Sequence, residues 1–552
     1  MPTIHNPVLR GFHPDPSICR VGDDFYIATS TFEWFPGVMV YHSRDLERWT
    51  PVARPLDRRA QLDMAGNPPS GGIWAPCLSY NDGRFWLIYT DVKEWVGSRS
   101  DDGFKDSLNY LVTAPSIDGP WSDPIFLNAS GFDPSLFHDE DGRTWLVNVR
   151  WDYRPGHNSF GGIVLQEYDP GGRRLTGAIR SIFSGTPIGY TEAPHLYRRD
   201  GWYYLMTAEG GTAYGHAVVL ARSRTIDGPY ELHPQTPLVT SVSDRNGFAR
   251  ATEDGGDLGA YLAPGLQKAG HGSMAPWTDG EWVLAHLCGR PADGTLNCPL
   301  GRETALQVLR WKEDGWPWPN QQQPEQTVVF VNRSAVLATD RSPMPTRSAV
   351  WRDDFDGPGL AIELYTLREP ADERFNLVQR PGWLRLHGAL SPTSRFRQSL
   401  VARRVQDFTW RAATHLEVAP QDFQQFAGLI VRYDENNQYL LRVSGDGAGS
   451  RTLGVICYNQ RILQTPLGDN EVVLGQSGID LSVEVSGTVL RFLWRQDEAA
   501  WSPIGPTLDA SLLADETADP LGFTGTFVGI GCWDVSGRGL AADFDYLEYT
   551  EG

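Results

Sequence analysis

Short runs of aromatic and aliphatic residues recur at a regular interval through roughly the first 290 residues of the chain. Each repeat begins with a small polar, acidic or aromatic residue, usually near proline, and a turn rich in glycine and aspartate separates two apolar runs. Turns of this composition between short apolar runs are typical of β-hairpins. The pattern therefore predicts that every repeat opens with two antiparallel strands.

Five copies of the repeat can be aligned, with anchors at Asp15, Trp74, Asp133, Glu192 and His271. Three successive intervals are 59 residues long, and the last widens to 79 because of an insertion around residues 241–266. Radial repetition of four-stranded blades produces a period of this kind, and no helical periodicity of useful length interrupts it. The sequence predicts an all-β fold that begins with a five-bladed β-propeller.

The amino-acid composition and the pattern of apolar residues change after Trp311, which indicates a second domain. Residues 316–324 are rich in proline and glutamine, and short alternating runs such as 428–433, 439–443 and 490–494 follow from Trp351 onward. Alternation of this kind is typical of sandwich strands, and the final run over 542–549 is expected to pair near the first strand of that domain. We predict a propeller over residues 1–318, a linker over 319–348 and a concanavalin-like β-sandwich over 349–552.

The net charge of the chain indicates which kinds of binding partner suit it. A formal net charge of −20 argues against nucleic acid and anionic membranes, and a neutral ligand fits it better. The first residues, Met1 to Pro7, have neither a basic segment nor an apolar one, so a cytoplasmic location is expected. Six cysteines without metal-type spacing suit free thiols in a reducing compartment.

The repeat has a chemical consequence. Equivalent positions of successive blades gather around the propeller axis, so the five anchors are expected to share one pocket. An isolated Asp-Pro most often only caps a strand, but three crowded carboxylates repel one another and usually indicate function. One protonated and one ionised carboxyl group are what hydrolysis of a glycosidic bond requires, and a third can raise the pKa of the acid. These residues predict a glycoside hydrolase.

Six motifs extend this interpretation. They read HPDPSI (13–18), TFEWFPG (31–37), SGGIWAP (70–76), GFDPSLF (131–137), YTEAPH (190–195) and PLGRET (299–304). In this order they resemble the β-xylosidases of glycoside hydrolase family 43, the type that carries a C-terminal β-sandwich. The resemblance implies inversion by an activated water, with Asp15 as general base and Glu192 as general acid. Asp133 is then implied to raise the pKa of the acid and to orient it.

The same resemblance implies the rest of the pocket. It positions Arg302 against sugar hydroxyls and His271 at the channel floor, which in some relatives lies near a bound Ca²⁺, although no cofactor is required. The pocket wall is implied to contain Phe32, Trp74, Trp151 and Thr212. A sandwich loop around residues 525–527, including Phe527, is expected to shorten the pocket and enforce attack from the non-reducing end.

The expected substrate is a β-1,4-xylo-oligosaccharide, from which xylose is released. Within the same family, α-L-arabinofuranosidase or bifunctional activity is the main alternative. Fructan-cleaving hydrolases of similar architecture, which retain configuration, and a catalytically inactive sugar-binding protein are further alternatives. Residues 95–100 and 244–264 fit the family pattern loosely, which leaves the outer subsites open. Relatives often form dimers or tetramers, so a homo-oligomer is expected.

Overall fold

The computed structural model of this 552-residue chain describes residues 3–95, 103–242, 265–278, 280–320, 327–329 and 350–552. The described part contains two β-domains and two short 3₁₀ helices, Ala510–Leu512 and Asp515–Thr517. The turn residue Asp279, the loop from 96 to 100 and the insertion over 244–264 lie outside the described residues.

The first domain is a propeller of five blades. Each blade is an antiparallel sheet whose first four strands follow the chain from the axis outward. Blade 1 contains Ser17–Val21, Asp24–Thr29, Met39–Ser43 and Thr50–Ala53; blade 2 contains Gly72–Asn81, Arg84–Glu94, Asp106–Ala114 and Ile125–Asn128; blade 3 contains Ser135–His138, Thr144–Trp151, Phe160–Asp169 and Arg174–Phe183. Blade 4 contains Glu192–Arg199, Trp202–Glu209, Ala217–Ser223 and Glu231–Leu232, with Val239–Thr240 paired to its third strand; blade 5 contains Gln267–Thr278, Glu281–Gly289, Arg302–Trp311 and Pro317–Pro319. The predicted hairpins and the five-bladed architecture are confirmed.

Apolar runs form the second strand of each blade because these strands are covered on both faces by neighbouring blades. In blade 5 every residue of Glu281–Gly289 is buried. In blade 3 the first six residues of Thr144–Trp151 are all buried. A strand packed on both faces needs a near-continuous apolar sequence, and this explains the recurring runs in the sequence.

The second domain is a sandwich of two antiparallel sheets. One sheet runs in the order Phe375–Asn376, Leu384–His387, Ala541–Glu551, Thr409–Val418, Ile479–Ser486, Val489–Arg495 and Ser502–Asp509, with Val350–Asp353 also paired to Ala541–Glu551. The other runs Ser399–Arg404, Phe527–Asp534, Gln425–Arg432, Gln438–Gly445, Arg451–Asn459 and Ile462–Gln464, with Val472–Leu474 also paired to Arg451–Asn459. The last strand therefore pairs with the first, as the sequence predicts.

Two short strand pairs involve segments that are distant in the sequence. Trp34–Phe35 of the propeller pairs with Thr366–Leu367 of the sandwich, and Thr3–His5 pairs with Thr327–Val329. The Arg368 guanidinium of the sandwich also donates to the carbonyl of Asn67 at 2.8 Å. The Trp34–Phe35 pairing and the Arg368 contact fix the sandwich against the propeller.

The outer strand of blade 5 lies at the predicted end of the propeller. Pro317–Pro319 forms this strand and pairs with Arg302–Trp311, so it extends one residue past the predicted boundary at 318. Proline is tolerated there because an edge strand has one side free of partners. Trp316 and Trp318 pack edge-on against His233, and this aromatic cluster holds the segment on the blade. The rest of the predicted linker lies mostly outside the described residues, and its boundaries stay a prediction.

Within the described residues, no helix has the length and apolar character to cross a membrane.

Candidate active site

A cavity of about 520 Å³ lies at one end of the propeller axis. Its lining includes all five repeat anchors: Asp15, Trp74, Asp133, Glu192 and His271. The inference that equivalent positions of the blades meet at one pocket is therefore confirmed. The three carboxylates are only 5 to 7% exposed.

The backbone turns sharply at each anchor or at the residue directly after it. Asp15, Ala75, Asp133, Ala193 and His271 all adopt positive φ, between 39° and 54°, which residues other than glycine rarely do. The strand ladders shift register at the same places in blades 2, 4 and 5. Such bulges re-aim a side chain, and backbone strain of this kind costs on the order of 1–3 kcal/mol per residue. A strained residue at or beside the anchor of every blade indicates that the fold is built around this pocket.

Asp15 is held by three neighbours. The Ser30 hydroxyl donates to its Oδ2 at 2.6 Å, and Arg302 donates from Nη1 to its Oδ1 at 3.3 Å. The Nδ1 of His271 lies 3.5 Å from the same Oδ1. Hydroxyl and guanidinium donors are the partners that suit an ionised carboxylate, which is the form a base needs.

Glu192 lies in the opposite environment. Burial raises its pKa well above the usual value, and the charges of Asp133 and Asp15 raise it further. Its Oε1 has no hydrogen-bond partner among the described residues, and the nearest cationic candidate, His216 Nε2, lies 3.8 Å away. Burial also lowers the pKa of His216 well below its usual value, so this imidazole is neutral near pH 7. Glu192 is therefore the carboxyl that keeps its proton, as a general acid must.

Asp133 interacts with both other carboxyl groups, those of Asp15 and Glu192. Its Oδ2 accepts a hydrogen bond from the backbone N–H of Ala193 at 3.0 Å, and this fixes the peptide directly after Glu192. Burial raises the pKa of Asp133, and the charge of Asp15 adds to the rise. Asp133 in turn raises the pKa of Glu192 by its charge.

The side chains around His271 determine how many ligands the protein could offer a calcium ion there. Among the described residues, no group of three or more histidine, cysteine, aspartate or glutamate side chains could hold a metal ion. Calcium takes six to eight oxygen ligands, whereas His271 supplies nitrogen and its acidic neighbour Asp15 is already paired with Arg302. The described side chains therefore offer few of the ligands that a calcium ion would need at His271.

The predicted aromatic wall is present. Phe32, Trp74, Trp151 and Thr212 all line the cavity, as does Arg302. Arg302 Nη2 donates to the carbonyl of Phe523 at 2.9 Å while its Nη1 contacts Asp15, so it also joins the second domain to the site.

Phe527 is the one predicted pocket residue that the structure contradicts. It is fully buried and stacks on Trp34 at a centroid distance of 3.8 Å, away from the cavity. Phe527 begins a strand of the sandwich, and its direction is set by that sheet. The loop before the strand does reach the pocket, and Phe523 is the aromatic residue it contributes, with Pro520 and Leu521 beside it.

Several further pocket residues were missed. They are Trp95, Gly103, Phe104, Lys105, Phe132, Phe160, Tyr190, Gly210, Gly211, Ala213, Pro520, Leu521 and Phe523. Phe132, Gly211 and Ala213 adjoin predicted site residues, and that adjacency is a usable signal. Phe104 and Lys105 lie outside the aligned runs of the repeat, so no period marks them. The Nζ of Lys105 lies 3.7 Å from the ring centre of Trp151, and its charge lowers the pKa of Glu192 and Asp133, opposing the larger effect of burial.

Comparison with known sequence families agrees with this geometry. The family described as glycosyl hydrolases family 43 matches residues 4–317, and the β-xylosidase C-terminal concanavalin A-like domain matches residues 352–550. The chain belongs to glycosyl hydrolases family 43. It is a glycoside hydrolase, and this membership decides against both the fructan-cleaving and the sugar-binding alternatives.

Individual relatives cover the whole length of the chain. A β-xylosidase from Bacillus subtilis is 46% identical, over 99% of each chain. A xylosidase/arabinosidase from Humicola insolens is 44% identical, over 100% of this chain and 98% of that one. Among solved structures, a xylan β-1,4-xylosidase from Bacillus halodurans is 49% identical, with a TM-score of 0.90 over 99% of this chain and all of the other.

Proposed function

We propose that this family 43 hydrolase is an inverting exo-β-xylosidase, which releases xylose from the non-reducing end of β-1,4-xylo-oligosaccharides. The observation that carries the proposal is the unequal environment of two carboxyl groups in one pocket. Glu192 is buried with a raised pKa, while Asp15 is paired with Arg302 and Ser30.

These environments assign the steps. The protonated Glu192 gives its proton to the glycosidic oxygen, so the leaving sugar departs as an alcohol. Asp15 takes a proton from a water molecule that attacks the anomeric carbon from the opposite face. Asp133 keeps Glu192 protonated by its charge and fixes the neighbouring Ala193 peptide. One water molecule is consumed, and the configuration at the anomeric carbon is inverted.

The closed shape of the pocket supports exo attack. Phe523 meets Trp74 at a centroid distance of 5.6 Å and an interplanar angle of 83°, and it lies 5.0 Å from Trp95. An aromatic wall of this kind leaves room for the terminal sugar but blocks passage of a chain through the site.

Xylose is the favoured glycone because two of the three full-length relatives described above are named for β-xylosidase activity alone. The third is named for both xylosidase and arabinosidase activity. An α-L-arabinofuranoside is therefore the second candidate substrate, since it can offer similar oxygens to the same pocket.

The proposal is tested by hydrolysis of p-nitrophenyl β-D-xylopyranoside and p-nitrophenyl α-L-arabinofuranoside, side by side. Proton NMR of the xylobiose reaction reports which anomer of xylose appears first, and inversion requires α-xylose. If the arabinoside is turned over faster, the assigned substrate is wrong, but the roles assigned to the three carboxyl groups still hold. Initial release of β-xylose would refute the inverting mechanism.

Three subsidiary proposals accompany this function. The sandwich exposes Phe423, Ile462, Leu463 and Val473, which supports a homodimer or tetramer, measurable by light scattering. Six free and buried thiols support a reducing, cytoplasmic location, measurable by cell fractionation. Any calcium ion near His271 would take most of its ligands from water, so catalysis is proposed to be independent of it.

A further inference from the structure

Ser70 lies just behind the pocket wall without lining the cavity. It is 1% exposed and adopts a φ of 57°, a conformation that disfavours any residue except glycine. A strained, fully buried serine is retained only where its polar groups have definite partners.

Each polar group of Ser70 binds a different part of the molecule. Its N–H donates to Glu33 Oε2 at 3.1 Å, and its carbonyl accepts from the indole N–H of Trp74 at 2.7 Å. Its hydroxyl oxygen accepts from the backbone N–H of Phe523 at 3.0 Å. Trp74 is the wall supplied by the propeller, and Phe523 is the wall supplied by the sandwich.

The loop that carries Ser70 is itself docked against the second domain. The Arg368 guanidinium donates to the carbonyl of Asn67, and the Arg368 N–H donates to the carbonyl of Glu33, both at 2.8 Å. Arg368 is 1% exposed and also pairs with the buried Glu435. Moving Ser70 would therefore disrupt a buried polar network that spans both domains.

The peptide of Phe523 is consequently held from two sides. Ser70 accepts from its N–H, and Arg302 donates to its carbonyl. We propose that Ser70 is a positioning residue that fixes Phe523 against Trp74 and thereby sets how tightly the pocket holds the terminal sugar. This inference rests on the proposed function only for the identity of that sugar.

The expected kinetic effect follows from what Phe523 contacts. A wall that packs on the sugar holds the ground state and the transition state alike, so loosening it raises KM and leaves kcat nearly unchanged. Loss of one buried hydrogen bond changes such an equilibrium by on the order of 10-fold. Ser70→Ala keeps the N–H and the carbonyl, and so keeps the bonds to Glu33 and Trp74 while removing only the acceptor for Phe523.

The experiment compares Ser70→Ala and Ser70→Gly with the parent chain. Both variants lack the hydroxyl, but glycine accepts the positive φ without strain. A difference between them in melting temperature therefore reports the relief of strain less the entropic cost of glycine in the unfolded chain. We expect both to raise KM for xylobiose by about 10-fold with kcat within about twofold. In a Phe523→Ala background the same substitutions should leave KM unchanged, because the ring they position is gone.

A readout independent of turnover separates this inference from the proposed function. Hydrogen–deuterium exchange of the peptide around Phe523 should accelerate in both variants relative to the parent. Unchanged exchange there, or an equal rise in KM with and without Phe523, would overturn the positioning role. If the parent cleaves no xyloside, the proposed function fails, and the exchange result still decides whether Ser70 holds the loop.

Discussion

Glu192→Gln isolates the proton donor with little change of shape. Glutamine has the size of a protonated glutamic acid but cannot give up a proton to a leaving group. General acid catalysis contributes about 10²- to 10⁴-fold, equal to about 3 to 5 kcal/mol of the barrier. We expect kcat for xylobiose to fall by that factor, with KM within a fewfold of the parent value.

The size of the loss should depend on the leaving group. A xylose leaving group needs its oxygen protonated, whereas a dinitrophenolate leaves as a stable anion. The variant should therefore lose much less activity toward 2,4-dinitrophenyl β-D-xylopyranoside than toward xylobiose. The measurement is kcat for both substrates in parent and variant at one pH.

The same substitution should stabilise the fold, and the sign follows from burial. Because the folded state raises the pKa of Glu192, the unfolded chain releases this proton first, and stability declines as pH rises from the unfolded pKa through the folded one. Each pKa unit of such a rise is worth about 1.4 kcal/mol. Glutamine removes this penalty, so the gain in melting temperature should be small near pH 4 and larger at pH 7.

Two results would refute this reasoning. An equal loss of activity for both leaving groups would mean that Glu192 does not protonate the leaving oxygen. A variant less stable than the parent at pH 7 would mean that the folded state holds Glu192 as a well-paired anion. Circular dichroism spectra of both proteins provide the control for folding.

Four other predictions follow from the same contacts. Asp15→Asn should lower kcat by about 10²- to 10⁴-fold for good and poor leaving groups alike, because the attacking water loses its base; a leaving-group dependence like that of Glu192→Gln would contradict this. Lys105→Met should move the alkaline limb of the kcat/KM profile to higher pH, because the Lys105 charge lowers the pKa of Glu192. The control is Lys312→Met, which removes a lysine that lies 4.0 Å from the Trp318 ring centre, and it should leave the profile in place. Gly301→Ala should lower the melting temperature by more than Gly294→Ala, since both have a φ of 75° but only at Gly301 would a Cβ come 2.5 Å from the Thr524 carbonyl; equal losses would show that the close approach is unimportant. Dialysis against EDTA should leave kcat unchanged, and a loss restored by calcium would show that a calcium ion takes part in catalysis.

The local sequence pattern was enough to predict the β-propeller architecture and the residues at the centre of the pocket. Period and turn composition predicted five blades, because each blade is a locally connected antiparallel sheet whose apolar strands follow one another in sequence. The position of each anchor within its repeat then predicted that Asp15, Asp133, Glu192, Trp74 and His271 would meet. Radial symmetry converts equal positions in a repeat into neighbours in space, so no long-range information was needed.

Contacts that join distant segments were decided only by the tertiary structure. Phe523 and Phe527 are both aromatic residues at the end of the same loop, yet only Phe523 reaches the cavity, because the strand that begins at Phe527 directs that side chain into the core. Nothing local distinguishes the two.

Ser70 illustrates the same limit. The sequence around Ser70 predicts only a turn before a strand. The three hydrogen bonds of Ser70 depend on how the sandwich packs against the propeller. The sequence by itself determined the blades, the sandwich strands and the acid trio, since these follow from short-range periodicity. The depth of the pocket and the residues that set it were decided by the packing of one domain on the other, which no local pattern encodes.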